Sequence, residues 1–177
     1  GETKGEKISF GWNEKNDLIA SVNFLKDRNF TRISAHGISL GAATIVYSLP
    51  TIQYDFIVLE SCYDNINHAF YNRLENLNLP TECYYPVEII TGWRIGESLK
   101  KLNPEKIIKE GNCPILYLAG DKEVVIKKKE TEDIFNAITN SKKQLHWFEN
   151  GKHEDFLANY RKEYKEVWYA FVEEYIK

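Results

Sequence analysis

Gly37-Ile38-Ser39-Leu40-Gly41 sets a serine between two glycines in a G-x-S-x-G pattern. A serine hydroxyl is a weak nucleophile at neutral pH and needs a base within hydrogen-bond reach, a task that suits histidine. Four histidines are available. His146 falls inside an expected strand, His68 in an aromatic-rich stretch, and His36 on the approach to Ser39, where a buried structural role is the default. His153 follows the last expected strand, in Glu149-Asn150-Gly151-Lys152-His153, and is the candidate base. The base in turn needs a carboxylate to orient its ring and stabilise its cation. Gly120-Asp121-Lys122-Glu123-Val124-Val125-Ile126 offers Glu123 or Asp121, while Glu60 and Asp64, flanking Cys62, are an alternative source. A serine, a histidine and an acid in that chain order are the parts of an acyl-transfer site, with the Leu40 amide placed to stabilise a developing oxyanion.

Such parts work only if strands and helices bring them to one edge. Thr31 to Ala35 reads as a short strand ending at Gly37, and Leu40 to Leu49, rich in alanine and aliphatic residues, reads as a helix stopped by Pro50. A strand-to-helix turn this tight calls for small flanking residues and lifts Ser39 to the carboxyl edge of the sheet. Three further buried-type strands are expected at Asp55 to Leu59, Pro114 to Ala119 and Gln144 to Phe148. Asn13 is placed to cap an amphipathic helix over residues 14 to 27, with Leu18, Val22 and Leu25 on its apolar face. Phe156, Tyr160, Tyr164, Val167, Phe171 and Tyr175 step by three or four along a final helix. Strands alternating with helices imply an α/β fold of three layers, α/β/α, around a mostly parallel sheet. The alternation lapses at about 63–111, read as a small helical cap inserted into one domain that spans residues 1–177. Its aromatics, notably Tyr84, Tyr85 and Trp93, serve either an apolar substrate pocket or the cap's own core.

The 177 residues, 43% hydrophobic and 28% charged, suit one globular domain. A net charge of −3, with lysine and glutamate interleaved throughout, leaves no basic face for a phosphate backbone, so no nucleic-acid partner is expected. No run reaches the ~18–20 apolar residues of a membrane span, and Gly1-Glu2-Thr3-Lys4 does not open a signal peptide. Cys62, Cys83 and Cys113 are odd in number and lack C-x-x-C spacing, which argues against a disulfide framework or a zinc site and for reduced thiols in the cytoplasm. The chain begins with Gly and contains no Met, so an upstream segment of the natural protein is expected.

From Gly11 onward the order Ser39, acid, His153 with its supporting strands resembles the α/β-hydrolase family. Gly11-Trp12-Asn13-Glu14 with Asp17-Leu18, and Gly37-Ile38-Ser39-Leu40-Gly41-Ala42-Ala43-Thr44, are similar to esterase-like members near the prolyl-oligopeptidase and acyltransferase-thioesterase branch. In that family the acid loop reads G-x-x-D with V three positions on. Gly120, Glu123 and Ile126 occupy those positions, so the resemblance implies Glu123 as the acid, and Gly151 and His153 match its G-x-H. Family members carry further strands at the start, with a second oxyanion donor after one of them. Nothing before Gly11 supplies these, and an upstream segment or a second copy of the chain is expected to complete the sheet. The implied activity is an esterase-type serine hydrolase acting on a small acyl substrate through an acyl-enzyme, with no metal or organic cofactor. Aminopeptidase-like or thioesterase-like hydrolysis on the same residues is the alternative, as is a non-catalytic binding protein of the same fold. A cysteine nucleophile is disfavoured, because position 39 is Ser and Cys62 has no glycine-flanked turn.

Overall fold

Four short runs form one parallel sheet in a computed structural model that describes residues 7–153 and 156–176. Gly1 to Lys4, which carried the signal-peptide reading, lie outside the described residues. The strands are β1 (Ala35–Ile38), β2 (Ile57–Glu60), β3 (Ile115–Gly120) and β4 (Lys143–Phe148), in the spatial order β1-β2-β3-β4. Ala35 pairs with Ile57, Ile57 with Ile115 and Ile115 with Lys143, so all four carboxyl ends lie along one edge.

Alternation along each strand sends side chains to opposite faces, and both faces are buried. Ile57, Leu59, Ile115, Tyr117 and Ala119 enter one core, shared with α1 (Glu14–Lys26), α2 (Leu40–Ser48), α3 (Ile66–Asn76) and α6 (Lys128–Ala137). Val58, Leu116, Leu118 and Phe148 enter the other, against α7 (Phe156–Asn159) and α8 (Arg161–Ile176). The result is the three-layer α/β/α arrangement. Between β2 and β3 the chain forms α3, α4 (Tyr84–Ile95), α5 (Pro104–Ile107) and three short 3-10 turns. No helix among the described residues is long and apolar enough to cross a membrane.

Several local expectations shift. The first strand begins at Ala35 rather than Thr31, because residues 31–34 are held by Asp55: its carboxylate accepts the Ile33 amide at 2.6 Å and its own amide donates to the Ile33 carbonyl at 2.8 Å. Asn13 does not cap α1 with its side chain. Ser9 and Glu14 close that turn instead, the Glu14 carboxylate accepting the Ser9 and Gly11 amides at 2.8 and 2.9 Å. The final helix is divided at Tyr160, yet all six residues of its apolar stripe pack on the second core.

The two glycines around Ser39 are unequal. A Cβ at Gly37 would lie 2.5 Å from the Gly41 carbonyl carbon, whereas a Cβ at Gly41 meets nothing within 4 Å. Strand and helix therefore touch through the missing side chain of Gly37, and only that position must be small. Thermal unfolding of two variants separates them. Gly41→Ala is expected to hold or raise stability by up to about 1 kcal/mol, the usual helix-propensity gain. Gly37→Ala is expected to lower it by about 1–3 kcal/mol or prevent folding, since backbone must move.

Candidate active site

Ser39 joins β1 to α2 with φ of 51° and ψ of −110°, a conformation that non-glycine residues rarely adopt and that costs about 1–3 kcal/mol. The surroundings impose it: the Ser39 amide donates to the Glu60 carbonyl at 2.8 Å, extending the β1–β2 ladder, and the Ala43 amide donates to the Ser39 carbonyl at 3.1 Å, starting α2. The hydroxyl is thus held at the carboxyl edge, beside the amide of Leu40 in the first turn of the helix, where the helix dipole favours negative charge.

Two loops at the same edge carry the other candidates, and they meet at glycine. A Cβ on Gly120, at the end of β3, would come 2.2 Å from the carbonyl oxygen of Gly151, after β4. At that contact the Lys122 amide donates to the Gly151 carbonyl at 3.0 Å, the Asp121 amide to the Phe148 carbonyl at 3.2 Å, and the Asn150 amide to the Asp121 carboxylate at 2.5 Å. Backbone against backbone, these hydrogen bonds tie the loops after β3 and β4 together.

The joined loops bring Glu123 and His153 to Ser39. His153 Nε2 lies 3.0 Å from Ser39 Oγ, and His153 Nδ1 lies 2.9 Å from Glu123 Oε2. Only one neutral tautomer serves both contacts: Nδ1–H donates to the carboxylate and Nε2 accepts the serine proton. Glu123, 8% exposed, is fixed through its second oxygen, which accepts the Ser61 hydroxyl at 2.7 Å and the Gly120 amide at 3.0 Å. Ser61 is fully buried just after β2 with φ of 49°, and the Leu118 carbonyl accepts its amide at 3.0 Å. Sequence reasoning missed it, since a serine outside any motif carries no signal; the one hint was its place at the end of an expected strand.

The remaining sequence candidates are engaged elsewhere. Asp121 is occupied with the Asn150 amide. Glu60 lies on the second face of the sheet, accepting the Tyr164 hydroxyl at 2.9 Å with His36 Nε2 at 3.5 Å. His68 Nδ1 pairs with Asp64 at 2.7 Å, and His146 Nε2 with Glu163 at 2.9 Å. Cys62 is buried, which pushes its thiol well up from the usual range; all three cysteines are free thiols. Among the described residues no cluster of His, Cys, Asp or Glu could hold a metal ion.

A cavity of about 210 Å³ opens beside Ser39, lined by Phe10, Leu40, Tyr63, Ile66, Ala69, Phe70 and Arg73. The Tyr63 hydroxyl, at 2.6 Å from the Phe10 carbonyl, ties the segment before α1 to this wall. Of the three aromatics read as either pocket wall or cap core, none lines this cavity. Tyr84 is buried against Phe70 and Tyr71 with its hydroxyl on Asn67, while Tyr85 and Trp93 are exposed on α4.

Asp64 generates a pH prediction. Its Oδ1 is buried and finds no hydrogen-bond partner among the described residues, and burial lifts its carboxyl from near 3.8 to about 6 against the opposing pull of His68. A raised acid in the folded state means that folding takes up a proton between these values, so this group's contribution to stability is lost as pH rises from about 4 to about 6. Asp64→Asn is therefore expected to raise the melting temperature at pH 7.5 by about 2–4 °C, with the gain shrinking toward pH 4. Melting curves of both proteins across that range check it.

No protein-family model matches the chain. The uncharacterized protein YqkD of Bacillus subtilis is 25% identical over 182 residues, a match that takes in 98% of this chain and 59% of that protein, so the chain spans under two thirds of this relative. Among solved structures, the Pyrococcus furiosus esterase Pf2001 superposes with a TM-score of 0.81 at 20% identity, covering 100% of this chain and 68% of the esterase. The Pyrococcus horikoshii acylaminoacyl peptidase gives 0.71 at 14% over 93% of this chain and 28% of its own, and the Bacillus anthracis bromoperoxidase 0.65 at 15% over 98% and 78%. Strand order, the layers on both faces and these likenesses agree: the chain has the α/β-hydrolase fold.

Proposed function

We propose that this chain is a serine hydrolase that cleaves carboxylic esters of small acyl substrates, with Ser39 as nucleophile, His153 as general base and acid, and Glu123 as the orienting carboxylate. The observation that carries this reading is the unbroken run from Glu123 Oε2 through His153 to Ser39 Oγ, with steps of 2.9 and 3.0 Å, ending on a serine held in a strained turn at a helix N-terminus. The esterase likeness supports the fold on which such a run operates.

The steps follow from the contacts. Ser39 Oγ adds to the carbonyl carbon while its proton passes to His153 Nε2, and the Leu40 amide stabilises the oxyanion that forms. The imidazolium, steadied by Glu123, returns the proton to the leaving alcohol oxygen as the C–O bond breaks. Water then attacks the acyl-enzyme with His153 again as base, releasing the acid and restoring Ser39.

Two tests bear on it. In the first, a fluorophosphonate is expected to add once to the wild type, with p-nitrophenyl acetate and butyrate turned over; Ser39→Ala should abolish labelling, and Ser39→Ala and His153→Ala should each reduce turnover by about 10⁴-fold or more. A folded wild type that neither labels nor hydrolyses would instead mark a non-catalytic binding protein. The second concerns Ser61, whose hydrogen bond to a buried carboxylate has a typical magnitude of about 1.5–3 kcal/mol. Glycine suits the positive φ at that position, so Ser61→Gly should keep its melting temperature while kcat falls about tenfold or more and KM stays near the wild-type value. Equal kcat would leave Ser61 a purely structural residue.

A further inference from the structure

Helix α4 is apolar on both sides, a pattern that ordinarily marks a buried helix. Only Tyr84 is buried, packed on Phe70 and Tyr71 of α3, while Val87 and Ile95 are partly covered by the first core. The opposite side carries Tyr85, Ile89 and Trp93 at spacings of four, with Ile90 beside them. All four are more than half exposed, and Trp93 is 85% exposed. Gly92 and the β-branched residues give α4 little intrinsic helix propensity, and a helix of this length is marginal in water without packing. Its outer face is therefore an unpartnered surface among the described residues.

The charges around that face indicate what fits it. Glu82, three residues before Tyr85, and Arg94, four after Ile90, flank the apolar stripe, and both are exposed. The stripe thus runs from a negative end to a positive one. A second copy laid antiparallel about a two-fold axis near Ile89 sets Trp93 against the other copy's Tyr85, and Ile89 against its own counterpart. The same operation places Arg94 beside the other copy's Glu82, twice over, and opposes the two helix dipoles. A parallel arrangement would set like charge on like charge. A lipid surface would call for flanks rich in lysine and arginine, whereas here Glu82, Glu88 and Glu97 offset Arg94, Lys100 and Lys101. The four apolar side chains offer on the order of 500 Å² per copy, so a pair buries about 1,000 Å², the lower bound of a specific interface.

We propose that the outer face of α4 is an isologous dimer interface, on which a second copy of this chain packs its own α4 antiparallel. This surface is separate from the outer edge of β1, where a second copy was expected to complete the sheet. The proposal is independent of the hydrolase reading.

Sedimentation velocity of the chain from about 1 to 100 µM should show a monomer–dimer equilibrium with a micromolar Kd. Trp93→Ser should raise Kd about tenfold or more and leave the melting temperature of the dilute monomer unchanged, because the ring is exposed there. Glu82→Arg and Arg94→Glu should each raise Kd about tenfold or more, since every change acts twice in a symmetric pair. The double variant, with the charges exchanged, should return to within about threefold of wild type. In a Cys83→Ser background, Ile89→Cys should form a disulfide-linked dimer on mild oxidation, because a residue beside the two-fold axis meets its own copy. A chain that stays monomeric at the highest concentration overturns the proposal, as does a dimer that none of the three single variants weakens. Weakening by both charge reversals without recovery in the double variant overturns the antiparallel pairing. A monomeric chain that co-sediments with phosphatidylcholine vesicles, and ceases to do so in Trp93→Ser, assigns the face to lipid and also overturns it.

Discussion

Two carbons that are not there hold this site together. Gly120 and Gly151 meet backbone to backbone, and a methyl group on the first would overlap the carbonyl of the second at 2.2 Å. Because neither residue has a side chain, the turns after β3 and β4 share hydrogen bonds that normally stay within one turn. Glu123 and His153 are thereby delivered as a pair from two separate loops. A charged side chain on an independent surface loop would sample many rotamers, and aligning it would cost entropy at every turnover. Here the alignment is fixed during folding.

Ser39 depends on a different device, strain held by packing. Its unfavourable backbone angles persist because the β1–β2 ladder fixes one side and the first turn of α2 the other, while Gly37 allows helix and strand to close on each other. The energy that opposes relaxation comes from the buried sheet. Fully buried side chains such as Leu59, Tyr117 and Phe148 fill both faces, and each contributes about 1.5–3 kcal/mol, enough to hold a local cost of similar size. Ser61 repeats the pattern at the end of the neighbouring strand: a second positive φ, a second serine, and a hydroxyl directed at the carboxylate that serves the first.

What the sequence disclosed was whatever repeats with a period or sits in a motif. The alternation of strands and helices, the glycines around Ser39 and the stripe from Phe156 to Tyr175 are patterns within one segment, and they indicate the layers directly. The family resemblance pointed to Glu123, but the residues by themselves left Asp121, Glu60 and Asp64 open, because that choice rests on contacts between segments distant in the chain. Asp121 and Glu123 are two residues apart, yet one binds the Asn150 amide and the other His153, and only the crossing of the two loops separates them. Ser61 was illegible for the same reason. The first strand was set too early because Asp55, a residue of the next segment, occupies the backbone of residues 31–34. Tyr85 and Trp93 show the converse, since aromatic composition signals burial and these two rings are exposed on α4.

The separation of Ser39 from His153, 114 positions along the chain, has a temporal consequence. A ribosome delivers Ser39 first, then β2, whose Glu60 carbonyl accepts the Ser39 amide, and delivers His153 only after β4. Through that interval Ser39 lacks the ring to which its hydroxyl is hydrogen-bonded in the finished fold. The contacts among Ser39, His153 and Glu123 can therefore close only once the last strand has docked, so the edge of the sheet is completed last.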